Sequence, residues 1–73
     1  MTNYNIENTI RKHRFLASEM TQQELADQIG VTRQTVLAIE SVKYSPTREL
    51  AFRIAQVFNV ELGEIFKYRP NAI

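Results

Sequence analysis

Ile6, Ile10, His13 and Ala17 recur at spacings of four, three and four. Such spacing places them on one face of a helix, roughly Ile6 to Ala17, whose opposite face is basic. The tetrad TQQE, Thr21 to Glu24, has the form of a capping box and predicts a second helix start. Leu25, Ala26 and Ile29 give that helix an inner face, and Gly30 is placed to end it in a left-handed conformation. Val31 is expected to be a buried hinge residue. Thr32 suits the N-cap of a third helix, Arg33 to about Ser41. Val36, Ile39 and Glu40 would face inward there, with Arg33, Gln34, Leu37 and Ala38 turned the other way. The stretch KYSPT reads as a loop, because Pro46 disfavours a helical Ser45 and Thr47 can cap the next helix. Leu50, Ala51, Ile54, Ala55, Val57 and Phe58 predict a mostly buried fourth helix ending near Asn59. A short fifth follows with Leu62, Ile65 and Phe66 inward.

The pattern predicts an all-α fold, a compact five-helix domain. Its two ends carry a weaker period-two signal. Tyr4 and Ile6 alternate with polar residues, as do Phe66 and Tyr68 with Lys67 and Arg69. Each end can be a frayed terminus; together they can pair as a small antiparallel β-ribbon.

Length changes the picture little: 73 residues fit one domain, with its core over about 6–66 and an extension over 67–73. A chain this small buries only about 60% of the surface exposed by its unfolded form. The absence of cysteine excludes disulfides, thiolate metal sites and cysteine nucleophiles, and it suits a reducing cytoplasm. No apolar run approaches membrane-spanning length, and the N-terminus lacks a signal-peptide pattern. A single histidine, no glycine-rich phosphate loop and no paired carboxylates make an enzyme the poorest reading. No metal, cofactor or small-molecule ligand is expected. The net charge of +1 is uninformative alone, since basic groups can share a face; Arg11, Lys12 and Arg14 cluster early.

Two helices joined by a glycine-bearing turn form a helix-turn-helix, in which the second helix lays its N-terminal residues along major-groove base edges. The residue types fit. Gln34 can pair with adenine and Arg33 with guanine, while Leu37 and Ala38 can touch a thymine methyl. Gln22, at the start of the bracing helix, can meet a phosphate, with Thr35, Lys43 and Tyr44 as further phosphate candidates. The plain alternative for Arg33 and Gln34 is an ordinary solvated surface, and for Leu37 and Ala38 a small exposed apolar patch or packing against Tyr44; Thr21, Thr32 and Thr47 read first as helix caps.

From Ile10 to Phe66 the chain resembles the Cro/CI-type (XRE) helix-turn-helix regulators, with MTQQELADQIGVTRQTVLAIE, KYSP, ELAFRIAQVF and ELGEIF following that family's pattern in order. It most resembles the short stand-alone members, of prokaryotic or phage type. The resemblance implies sequence-specific binding to double-stranded operator DNA, usually as a homodimer, and control of transcription. The family's bracing-helix glutamine falls on Gln22. Its recognition positions fall on Thr32, Arg33, Gln34, Thr35, Leu37 and Ala38. Its helix-1 arginine and helix-3 glutamate, which often pair, fall on Arg14 and Glu40. Tyr4, Phe66 and Tyr68 are candidates for a dimer contact. A helix-turn-helix serving as an antitoxin or coactivator, with a protein as main partner, is the rival reading.

Three positions depart from the family pattern. Ser18 and Val42 stand where glycine, or glycine and asparagine, are usual, and His13 stands where leucine is usual. Val42 is the awkward one. A left-handed exit from the third helix would strain a β-branched residue; either Val42 bears that strain because its side chain packs on the core, or the turn shifts so that it keeps a negative φ. The strained conformation is the expectation.

Overall fold

Both ends of the described chain are extended, and they pair with each other. The computed structural model describes residues 4–70, and side chains from residue 7 to residue 67. Five helices lie between two strands, in the order β1 (Tyr4–Asn8), α1 (Ile10–Leu16), α2 (Gln22–Ile29), α3 (Arg33–Glu40), α4 (Arg48–Phe58), α5 (Leu62–Ile65) and β2 (Phe66–Pro70). The strands form an antiparallel ribbon with Ile6 opposite Tyr68 and Asn8 opposite Phe66.

The first helix is shorter than its spacing predicts. Ile6 continues the helical pattern of Ile10, His13 and Ala17, yet it lies in β1, and α1 runs only from Ile10 to Leu16. The period-two signal prevails because the far end of the chain supplies a partner strand. The change of conformation is fixed locally. Thr9 donates its backbone N–H to Ile65 at 2.9 Å and its hydroxyl to the Glu64 carbonyl at 2.9 Å. The Asn8 side-chain oxygen then accepts from the Ile10 N–H at 3.3 Å, so the helix starts there. Phe66, expected inward on the last helix, instead opens β2, where it is half-buried and packed against the core. Val31 is half-buried rather than buried.

Every helix contributes to one aliphatic core. Ile10, Leu25, Ile29, Val36, Ile39, Ile54 and Ile65 are its largest fully buried side chains. Each is worth about 1.5–3 kcal/mol relative to exposure. Helix α2 packs against both α3 and α4. The starts are capped as the sequence indicates. Thr21 and Glu24 form a reciprocal box, Thr32 accepts from the Thr35 N–H at 3.2 Å, and Thr47 accepts from the Leu50 N–H at 3.2 Å. His13 is half-buried, with its ring 5.6 Å from that of Phe58 and its Nδ1 2.9 Å from the Thr9 carbonyl. That carbonyl can only accept, so Nδ1 carries the proton.

Candidate nucleic-acid interface

Helix α3 has two chemically distinct sides. Val36 and Ile39 are buried, while Arg33, Gln34 and Leu37 are exposed and Ala38 is half-buried. Leu37 keeps 50% of its surface in solvent. Thr32 and Thr35 lie at the helix start with their hydroxyls 3.0 Å apart, one of them capping the helix. The side chains assigned to base reading therefore share the outer face of one rigid element.

Glu40, in the last turn of α3, is held from two other helices. Arg14 of α1 donates through Nε to Oε2 at 2.6 Å and through Nη2 to Oε1 at 3.1 Å, a two-pronged fork. Its Nη1 reaches the Met20 carbonyl at 2.8 Å. The two side chains are only 14% and 10% exposed. Gln22 of α2 donates through Nε2 to Glu40 Oε1 at 3.2 Å. An ionised carboxylate only accepts, which fixes the orientation of the Gln22 amide. One N–H of that amide faces Glu40, and the second remains for another acceptor. The assigned phosphate contact at Gln22 is thus tied to α3 rather than freely placed.

The structure separates the remaining candidates. Gln22 lines one open cleft with Arg11, Phe15 and Arg33, and a second with Arg11, Leu37 and Ser41. Lys43 and Tyr44 lie beyond the other end of α3. Both are exposed, and Tyr44 borders a narrow crevice with Asn8, Val42 and Phe66. Arg11 lines both clefts, a placement that sequence reading missed. Its signal is its position three residues before Arg14 on the same helix. The dimer-contact candidates Tyr4 and Tyr68 have side chains outside the described residues. Phe66 already spends part of its surface on the core. Among the described residues, no helix is long and apolar enough to cross a membrane, and no cluster of metal-ligating side chains occurs.

The model of the Helix-turn-helix family matches residues 10–65, which spans every helix and the whole of this face. The chain belongs to the XRE-type helix-turn-helix regulators. An uncharacterized HTH-type transcriptional regulator of Methanocaldococcus jannaschii is 44% identical over 66 residues, 90% of this chain and 98% of the relative. One from Methanothermobacter thermautotrophicus is 50% identical over 58 residues, covering 78% of this chain and 83% of its own. The Bacillus subtilis regulator YgzD is 41% identical over 46 residues, 63% of this chain and 70% of its own. Membership makes the protein a DNA-binding transcriptional regulator. It also gives the departures from the family pattern their setting. Ser18 has φ 59, its neighbour Glu19 φ 58 and Val42 φ 63. The backbone keeps the left-handed turns for which glycine is usual, and other residues bear them. Val42 does so without core burial, since 53% of it is exposed. The expected left-handed conformation is present, but the core packing expected to support it is not.

Proposed function

We propose that this XRE-type regulator reads double-stranded operator DNA with the outer face of α3, as a homodimer whose two α3 helices enter successive major grooves about 34 Å apart. The observation that carries the reading is the division of α3. Arg33, Gln34 and Leu37 stand exposed while Val36 and Ile39 are buried and Glu40 is pinned by Arg14 and Gln22. A rigid helix with a bidentate-capable amide and guanidinium on its free face suits base-edge recognition. Thr32 and Ala38 flank the reading set. Gln22 with its second N–H, Thr35, Lys43 and Tyr44 make phosphate contacts. The terminal ribbon, with Tyr4, Phe66 and Tyr68, joins the two subunits. Occupying a promoter then alters its access to polymerase.

Selection of bound sequences from a random duplex pool tests this directly. Gln34→Ala should weaken the selected site by about 1–3 kcal/mol and relax preference at one base pair. Gln22→Ala should weaken all duplexes alike, because phosphate contacts carry no sequence information. An unchanged selected sequence for Gln34→Ala would remove α3 as the reader. Truncation after Ile65 should give a monomer with much weaker operator affinity, since joining two half-sites multiplies binding. An intact dimer by analytical ultracentrifugation would remove the ribbon from the interface.

A further inference from the structure

Asn8 ends β1, opposite Phe66, and its side-chain amide serves two helix ends at once. Oδ1 accepts from the N–H of Ile10 at 3.3 Å, at the start of α1, where the N-cap Thr9 makes no side-chain cap bond. Nδ2 donates to the Ile39 carbonyl at 2.8 Å, in the last turn of α3. One planar amide thus matches the donor-rich end of one helix and the acceptor-rich end of another.

The Ile39 carbonyl is also part of the α3 exit. It accepts the Val42 N–H at 3.0 Å, while the Lys43 N–H reaches the Ala38 carbonyl at 2.9 Å. These bonds close a loop that holds Val42 at φ 63. A β-branched residue persists there only when its surroundings over-determine the conformation. Ser41, the first residue after α3, helps locally, its hydroxyl donating to the Leu37 carbonyl at 2.9 Å. Asn8 supplies the support that comes from elsewhere, across 31 residues of sequence.

We propose that Asn8 is a positioning residue for DNA binding. It latches the terminal ribbon to the exit of α3, steadies the left-handed Val42, and fixes where Lys43 and Tyr44 leave the helix. The proposal rests on the DNA-reading role assigned to α3 above. It makes the ribbon and the phosphate-contacting loop parts of one mechanical unit, so loosening the first loosens the second.

Asn8→Asp isolates the latch. A carboxylate keeps an acceptor for the Ile10 N–H and nearly the same shape. It has no N–H for the Ile39 carbonyl, and it brings negative charge to the wrong end of α3. In the free protein, hydrogen exchange at the Val42 and Lys43 amides should quicken by about tenfold, as for loss of one neutral hydrogen bond at the upper end of its usual worth. Exchange in the middle of α2 should not change. Operator and random duplex should both bind more weakly by a similar factor, with the selected sequence unchanged. Adding Val42→Gly should shrink both effects, because the exit then has no strain to restrain. Asn8→Ser retains an acceptor near Ile10 without charge, and it gives the same readout if the aspartate variant does not fold. Unaltered exchange at Val42 and Lys43, or an equal effect in the Val42→Gly background, would overturn the latch. Faster exchange with unchanged DNA affinity would overturn its part in binding. If the wild-type chain bound no duplex at all, the reading of α3 would fall by itself, and the exchange measurements would still decide whether the latch exists.

Discussion

Gly30 and Val31 directly follow α2, and Asn59 and Val60 directly follow α4; after α3 one residue, Ser41, intervenes, and Val42 and Lys43 make the corresponding pair. The first residue of each pair is left-handed, with φ 76 at Gly30, 55 at Asn59 and 63 at Val42. In each the second residue's N–H reaches back five residues: Val31 to Ala26 at 3.0 Å, Val60 to Ala55 at 3.1 Å, Lys43 to Ala38 at 2.9 Å. The backbone is shared, but the chemistry of α3's exit is inverted. After α2 and α4 a residue tolerant of positive φ comes first and a valine packed against the core comes second. After α3 the valine takes the left-handed place, and an exposed lysine takes the place that usually returns to the core. Two exits only join helices, whereas the third also delivers a cation to the proposed DNA face. The lysine accounts for the missing core contact; nothing in the structure accounts for valine rather than glycine before it. What steadies the last turn of α3 is polar and comes from other elements, with Arg14 and Gln22 on Glu40 and Asn8 on Ile39. The α2 exit takes one outside donor, Arg53 on the Ile29 carbonyl at 3.3 Å.

If polar clamps hold the inverted exit, breaking the strongest should cost most. Glu40→Ala strands the mostly buried Arg14 guanidinium and frees Gln22. Removing one partner of a buried pair costs about 3–5 kcal/mol. The low end is expected here, because Arg14 keeps the Met20 carbonyl. Urea denaturation measures it. A double-mutant cycle over Arg14 and Glu40 that returned no coupling energy would show that the fork adds nothing and that the exit is held by other means.

The next test moves the strain to the relaxed exit. A Cβ at Gly30 would meet the Arg53 Nη1 at 3.7 Å, an ordinary contact, so space is not the obstacle. The obstacle is φ 76. Gly30→Val should destabilise by about 0.5–1.5 kcal/mol, the left-handed penalty less the gain from removing glycine's larger unfolded-state entropy. In a domain this size each kcal/mol lowers Tm by about 4–8 °C. An unchanged Tm would mean that a left-handed valine is tolerated in this loop geometry, and the contrast between the exits would lose its energetic content.

Much of this contrast was legible in the sequence. Glycine after Ile29, a threonine before each of α2, α3 and α4, and apolar residues at helical spacing are local signals, and local signals place helices well. The Arg14–Glu40 fork was legible only through the family resemblance, since the residues lie 26 positions apart. Two things were not legible. Ile6 fits a helical face as well as a strand, and only the partner strand at the far end of the chain decides between them. Asn8 resembles any polar residue near a helix start. Its second bond, to Ile39, exists only once the ribbon has formed over the end of α3. Features that depend on contact between distant segments leave no periodic trace.

The smallest expected effect tests the inverted exit itself. Val42→Gly relieves a left-handed penalty of roughly 1–2 kcal/mol. Against this stand glycine's gain in unfolded-state entropy, about 0.4–1 kcal/mol, and the loss of whatever the valine covers. That cover is partial: 53% of Val42 is exposed, and the rest borders the crevice with Tyr44, Pro46 and Phe66. The balance is a gain of about 0–1 kcal/mol, read as a small rise in Tm. Val42→Asn sharpens the test. Asparagine already occupies the matching place at position 59 with φ 55, and it tolerates the left-handed region without glycine's entropy cost. It should stabilise at least as much as glycine. DNA affinity should hold or improve in both, because Lys43 and Tyr44 leave from an exit that no longer resists its own shape. Two lowered midpoints would say that the valine's contacts outweigh its backbone strain. The exit of α3 would then be a packed joint like the other two, with its apolar residue moved one place forward.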